Sequence, residues 1–199
     1  MFKKVSLTVF FCAGSLSVFA SASTIPVHSS ITQSSSVCTA SPGMLNCGSG
    51  VVESVPSGSY GMVNLNGTEV TGALQAIKAG SFLAKNAKLD NQVNFTAGQA
   101  NFVSTTLMGV VNLTSGMVSF NQTTLQQSVN LSSQKVMFNS SNLSGKLTIQ
   151  QSQNTPVLTL ENNAHISGDI VFSNFAGTVC IADGSSGFSG KLINGSLAC

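Results

Sequence analysis

Leu89, Leu107, Leu125 and Leu143 recur at an unbroken 18-residue interval, and their neighbours keep the same step. Val93, Val111, Val129 and Leu147 form a second column; Phe95, Leu113, Leu131 and Ile149 a third; Phe102, Phe120 and Phe138 a fourth. A fixed period of this kind marks a stacked repeat whose units bury their apolar sides against one another. Within a unit the apolar residues alternate (Leu107, Val111, Leu113, then Val118, Phe120). That is the periodicity of a strand, not of a helix. Each unit therefore reads as one rung of an all-β, single-stranded β-helix, a β-solenoid.

The spacing places rung openings at Val70, Leu89, Leu107, Leu125, Leu143, Ile166 and Phe188, which makes about seven rungs. At a strand spacing of ~4.8 Å the rod is roughly 35 Å long. The Val70 unit is one position longer than those that follow, and its Leu74 and Ile77 would also suit a short helix. Aligning Gly72 and Leu74 with Gly109 and Val111 makes it a rung with one extra residue instead. Phe82 and Ala84 then meet Ala100 and Phe102, large over small at both places, as close packing between layers requires. After Leu143 the step lengthens, first to Ile166 and then to Phe188, with the additions expected in turns at 150–156, 174–177 and 183–187. The regular array is expected from Tyr60, preceded by a Ser-rich leader and cap over 23–59 and followed to 199 by the solenoid domain. Val51 to Val55 reads as a first irregular strand.

Gly72, Gly109, Gly145, Gly168 and Gly190 repeat two residues after the opening positions. They are expected on the inward side of a tight coil, where a Cβ would crowd the core or a corner. Asn91 and Gln127 interrupt that column, either as stacked buried amides or where the corner opens. Phe102, Phe120 and Phe138 predict an internal aromatic stack, each pair worth ~0.5–1.5 kcal/mol beyond area burial.

The segment 1–22, MFKKVSLTVFFCAGSLSVFASA, has the lysines, apolar run and small-residue end of a secretory signal peptide cut after Ala22. Cys12 raises a lipoprotein anchor, but Phe10 and Phe11 before it fit that processing poorly. No other apolar run is long enough to span a bilayer as a helix. Losing Lys3 and Lys4 leaves six lysines against six acids and no arginine. A neutral surface without arginine argues against nucleic acid, whose affinity comes largely from phosphate neutralisation, and against docking on anionic lipid. Four cysteines remain, paired at the two ends of the sequence. An exported chain with an even cysteine count reads as disulfide-bonded, and in a rod only Cys38–Cys47 and Cys180–Cys199 can meet. Aligning Gly177 with Gly195 makes the latter two diagonal neighbours, so their bond needs Cys199 to twist. No CxxC or clustered histidine favours zinc.

The same register gives the outward columns. Gln92, Val110, Ser128, Lys146, Asp169 and Lys191 form one, with an outer charge ladder at Lys146, Asp169 and Lys191. Glu69, Lys88, Thr106, Thr124, Asn142 and His165 form another, placing Glu69 beside Lys88. Such exposed pairs mainly fix register. Glycan-cleaving β-helices need carboxylates gathered on adjacent rungs. The six acids here (Glu53, Glu69, Asp90, Glu161, Asp169, Asp183) never share a column in neighbouring rungs. His165 and Asp169 lie four residues apart along a strand, ~13 Å, too far for a dyad. No catalytic residue, cofactor site or metal site is therefore assigned. Asn94, Asn112 and Asn130 form an outward amide column and each begins an Asn-X-Ser/Thr triplet. In a eukaryote these would accept glycans, but the Lys-Lys signal has a bacterial style and favours an amide ladder. Thr105, Thr123 and Ser141 are the hydroxyl column that an ice-binding face would require, but the column is short.

The alternating L-x-G-x-V-x-L strand followed by V-x-F resembles bactofilins and related small bacterial β-solenoids over about Tyr60 to Leu197. The resemblance implies a compact right-handed triangular β-helix that polymerises end to end into non-polar scaffolding filaments. The signal peptide and the terminal cysteine pairs depart from that family, which works in the cytoplasm. The function expected is a non-enzymatic structural or surface-interaction protein of the bacterial envelope, periplasmic, at the cell surface or secreted. The alternative is a carbohydrate-active β-helix that binds or cleaves glycans, with a site built from the long turns. Since the sequence stops at Cys199, the C-terminal rung is the expected surface for self-association, and the asparagine-lined sides the expected surface for a glycan or other envelope partner.

Overall fold

A computed structural model describes residues 37–150 and 155–199. The signal segment 1–22, the leader up to residue 36, and most of the 150–156 turn lie outside the described residues. Within them the chain is all β, without a helix. Alternation makes each unit a strand, and bends close the strand into a coil. Val111–Asn121, for example, buries Val111, Leu113 and Ser115, then shifts phase and buries Val118 and Phe120. The shift is a bend that divides it into a first side (Val111–Thr114) and a second (Met117–Asn121). The two-residue strand that opens each unit, Thr106–Leu107 here, forms a third side.

Coils stack in parallel with residues one repeat apart in register: Val111 lies on Val93 and Val129, Phe120 on Phe102 and Phe138. The first and second sides merge into a 14-stranded sheet, and the third side is an 8-stranded one. Eight strands on the third side mean eight coils, about 38 Å of rod at ~4.8 Å each.

The additional coil lies at the N-terminal end, where the sequence predicts a cap with an irregular strand at Val51 to Val55; the strand found there is Gly50–Val52. Met44–Cys47 pairs in parallel with Met62–Leu65, and Gly50–Val52 with Thr68–Val70. Leu45 and Cys47 are core residues, 0 % and 2 % exposed. The solenoid thus starts before Tyr60. Its second side is covered at that end by Cys38–Ser41, which turns back antiparallel on Met44–Cys47.

The extra residue of the Val70 unit is Ala76. It sits at φ 58° where the register slips between Gln75 and Ile77, a β-bulge that leaves the columns on both sides intact. Leu74–Lys85 is strand, not helix. Phe82 faces Ala100 and Ala84 faces Phe102, as the alternation of sizes predicts. The Phe102, Phe120 and Phe138 rings stack at centroid distances of 5.1 and 4.7 Å. One insertion escapes the spacing. Glu161 stacks on Asn139 and His165 on Asn142, so a residue is added at the corner Asn162–Asn163, both in positive φ.

That corner follows the second side in every regular coil. Gly67, Asn86, Ser104, Gln122, Ser140 and Asn162 occupy it, with φ between +48° and +70°. The left-handed conformation costs about 1–2 kcal/mol for a residue with a Cβ, so something must hold it. Carbonyls one and two residues before the corner turn into the coil, and hydroxyl side chains meet them there. Thr105 Oγ1 donates to the carbonyls of Ala84 and Val103, and Thr123 Oγ1 to those of Phe102 and Asn121. Ser141 Oγ donates to the Asn139 carbonyl and accepts from the Thr123 amide. This corrects the surface reading of Thr105, Thr123 and Ser141: all are at most 1 % exposed. Their column faces inward and offers no surface to ice.

In the glycine column the crowding is at the corner. A Cβ on Gly109 would lie 2.3 Å from the Asn91 carbonyl carbon, and one on Gly145 2.5 Å from that of Gln127. The obstacle is the backbone of the preceding coil, not the core. Asn91 and Gln127 are exposed, and Asn91 Nδ2 donates to the Thr71 carbonyl. They are neither buried nor stacked amides. A second glycine column, Gly61, Gly80, Gly98 and Gly116, lines the bend between the first and second sides, again with backbone carbonyl oxygens close to each missing Cβ.

Candidate functional site

The first side carries the most regular polar surface. Backbone pairing fixes Asn94, Asn112 and Asn130 in one outward column, and Asn130 Nδ2 donates to Asn112 Oδ1 at 2.9 Å. The amide ladder predicted from spacing is therefore present between these two. Two residues along each strand, Thr96, Thr114 and Ser132 form a parallel hydroxyl column in the same register. The sequence carries this signal in its Asn-X-Ser/Thr triplets: residues i and i+2 of a strand share a face. Reading the triplets as glycan acceptors obscures it.

Between the two columns the surface is concave. One hollow of about 370 Å³ is lined by Asn94, Asn112, Thr114, Asn130, Ser132 and Gln150 among others. A second, of about 410 Å³, adjoins it at Asn94 and extends to Thr96, Lys78, Ala76 and Ser59. The bulge at Ala76 thus opens onto this side, and no feature of the repeat announces it.

The charge ladder stacks in register. The Leu147 amide donates to the Asp169 carbonyl and the Ile170 amide to that of Lys191, so Lys146, Asp169 and Lys191 follow one another on successive coils. The charges do not pair as the ladder suggests. Asp169 Oδ1 accepts from the backbone amide of Lys191 at 2.8 Å, and neither lysine forms an ion pair among the described residues. Glu69 and Lys88 do pair, with Nζ 2.7 Å from Oε1. Lys88 also donates to Asp90 Oδ2 at 3.2 Å, with Oδ1 3.0 Å away outside hydrogen-bonding geometry. The Glu69 and Asp90 hydrogen bonds raise the Lys88 pKa above its ordinary value.

Asp183 and Glu161 serve the backbone and its neighbours. Asp183 accepts from the Ser185 hydroxyl and amide, the Ser186 amide and the Asn162 amide. Those bonds, the Ser185 hydroxyl first, hold its carboxyl well below the usual range. Glu161 Oε1 accepts from Asn139 Nδ2 at 2.8 Å. His165 Nε2 meets Ser189 Oγ at 2.9 Å. Among the described residues no three of His, Cys, Asp and Glu gather as metal ligands.

Both disulfides are formed. Cys38 and Cys47 are directly opposed in the antiparallel pair at the N-terminal end. Gly177 pairs with Gly195 as aligned, and Cys199 lies two residues past the last strand, free of the ladder and able to turn back to Cys180. At this end the core is open. In the inward column Leu158, Val179 and Leu197, exposure runs 0 %, 1 % and 60 %. No described strand pairs with the outer edges of Leu192–Ile193 and Gly195–Leu197.

Two disulfides suit an oxidising compartment. No helix among the described residues is long and apolar enough to cross a membrane. No protein-family model, curated protein or solved structure matches the chain.

Proposed function

We propose that the chain is an exported, non-enzymatic contact protein of the bacterial envelope, a rod that pairs end to end with a second copy of itself. The open C-terminal coil carries this reading. Leu197 occupies an inward column yet is 60 % exposed, and no described strand covers the outer edges of the two strands there. Such edges recruit further strands unless covered. At the opposite end Cys38–Ser41 covers the second side and keeps Leu45 and Cys47 buried; association through the C-terminal end alone gives a closed pair rather than a filament. Export rests on the signal-type segment 1–22 and on the disulfides.

The non-enzymatic reading is supported by what the acids do. Asp183 and Glu161, the carboxylates nearest the long turns, bind backbone amides and an asparagine, which suits holding turns more than moving protons. Light scattering on the mature protein tests the assembly. A pair is expected, and a bulky charged tail after Cys199 is expected to return it to a single copy with the fold unchanged. A single copy with and without the tail overturns the assembly. Cleavage of a polysaccharide, abolished by changing Asp169 or Glu161, overturns the non-enzymatic reading.

A further inference from the structure

We infer that the concave first side is a binding trough for a neutral, linear, polyhydroxylated polymer, a glycan chain laid along the rod axis. The inference rests on the reading of the rod as an envelope contact protein and adds the class of ligand that its side takes.

The two hollows share Asn94 and form one trough. It runs over six successive coils, through Ser59, Lys78, Thr96, Thr114, Ser132 and Gln150, each paired with the next by backbone register. Five steps of ~4.8 Å make it about 24 Å long. A compact ligand would fill a fraction of such a trough; an extended chain would fill it all.

The chemistry of the walls selects the chain. Over the three central coils one wall is amides and the other hydroxyls, separated by two residues of strand, ~6.6 Å. Each of these groups both donates and accepts. The hydroxyls of Thr96, Thr114 and Ser132 and the amide of Asn94 form no hydrogen bond with another described residue. The buried hydroxyls, by contrast, are engaged internally: besides the Thr105 column, Ser115 and Ser133 at the bend donate to the carbonyls of Met117 and Lys135. The outward groups on the first side keep their donors and acceptors for solvent or a ligand. Lys78 is the only charged side chain among the described residues lining the two hollows, and it stands toward one end. A polyanion would need a row of cations to replace its counterions, and a polycation a row of acids; the trough has neither. Its apolar residues Phe95, Leu113 and Leu131 point into the core, 1–4 % exposed, so it presents no apolar wall to a lipid or an amphipathic helix. A polymer bearing hydroxyls at every unit fits both walls.

The central positions are also rigid, since Asn94–Thr96, Asn112–Thr114 and Asn130–Ser132 pair with a coil on either side, which limits the ordering cost on binding. Repetition along the axis lets weak contacts at successive coils add through effective concentration.

Affinity electrophoresis of the mature protein through gels containing a neutral linear glucan (β-1,4, β-1,3 or α-1,4) or mannan tests this, with polygalacturonate and single-stranded DNA as charged counterparts. The wild type is expected to be retarded by at least one neutral glycan and by neither charged polymer. The double variant Asn112→Leu/Thr114→Val should weaken that retardation at least tenfold in dissociation constant, and Ser119→Ala on the second side should leave it unchanged. If the double variant melts early, Asn94→Lys, at an exposed position, takes its place with the same expected loss. No retardation by any of the neutral glycans, stronger retardation by a charged polymer, or retention of binding in the folded trough variants overturns the inference. Light scattering of the same samples separates the two proposals. Pairing without glycan binding removes the trough alone, and glycan binding by a single copy removes the pairing alone.

Discussion

Asn130 donates its side-chain amide to Asn112 Oδ1 at 2.9 Å across one step of the coil stack. The bond uses one donor and one acceptor, leaving Asn112 Nδ2 and Asn130 Oδ1 without a hydrogen bond to another described residue. As a stability element it is small, since cross-strand pairs of this kind contribute ~0.2–1 kcal/mol. Asn130→Ala is therefore expected to lower urea stability by no more than about 1 kcal/mol. A loss of several kcal/mol would show that the column holds the fold together, and is not simply displayed by it.

The aromatic column is expected to behave in the opposite way. Phe120 is fully buried between Phe102 and Phe138. Phe120→Ala removes contacts above and below in a stack that cannot collapse without disturbing both neighbours. The expected loss is about 3–5 kcal/mol, read from the urea midpoint at unchanged slope.

Two glycine substitutions distinguish backbone crowding from glycine loss in general. Gly145→Ala puts a Cβ 2.5 Å from the Gln127 carbonyl carbon and the Ser128 amide nitrogen. One coil must then move away from the next, at about 1–3 kcal/mol. Gly184→Ala meets nothing within 4 Å and should melt with the wild type. Equal melting of both variants would contradict the stacking geometry described for this corner.

The Asp183 turn predicts a pH dependence with a definite sign. Its carboxyl is held below the ordinary range by the Ser185 hydroxyl and the neighbouring amides. A depressed carboxyl pKa contributes stability that is present above the unfolded value, near 3.9, and is lost as pH falls through the lower folded value. Asp183→Asn should therefore melt below the wild type at neutral pH, and the gap should close as the pH drops below about 4. A gap independent of pH would mean that the charge of Asp183 is not what holds the turn.

Much of the fold is legible in the sequence, because a β-solenoid repeats one packing problem. Val93, Val111 and Val129 must match in size and phase to stack, so the period survives in the residues themselves. The bulge at Ala76 shows as a unit one position too long, and the long coils after Leu143 show as a stretched step. The first coil is hidden because Leu45 and Cys47 sit among serines and glycines and supply only two inward residues of the pattern. Polarity conceals the inward hydroxyls. Thr105 lies two residues before Leu107, so alternation alone turns it inward; its hydroxyl then engages carbonyls that the left-handed corner directs into the coil. The trough depends on how the first side curves and on the bulge opening one end. Neither leaves a periodic trace, although the Asn-X-Ser/Thr triplets contain both of its walls.

Small-angle X-ray scattering of the mature protein over a concentration series tests most directly the claim that the rod works by pairing through its C-terminal coil. The cross-section is expected to stay constant while the maximum dimension doubles and then stops growing, with Leu197→Asp restoring the single-rod length. A maximum dimension fixed at the single-rod value at every concentration, or one that grows without limit, would contradict it.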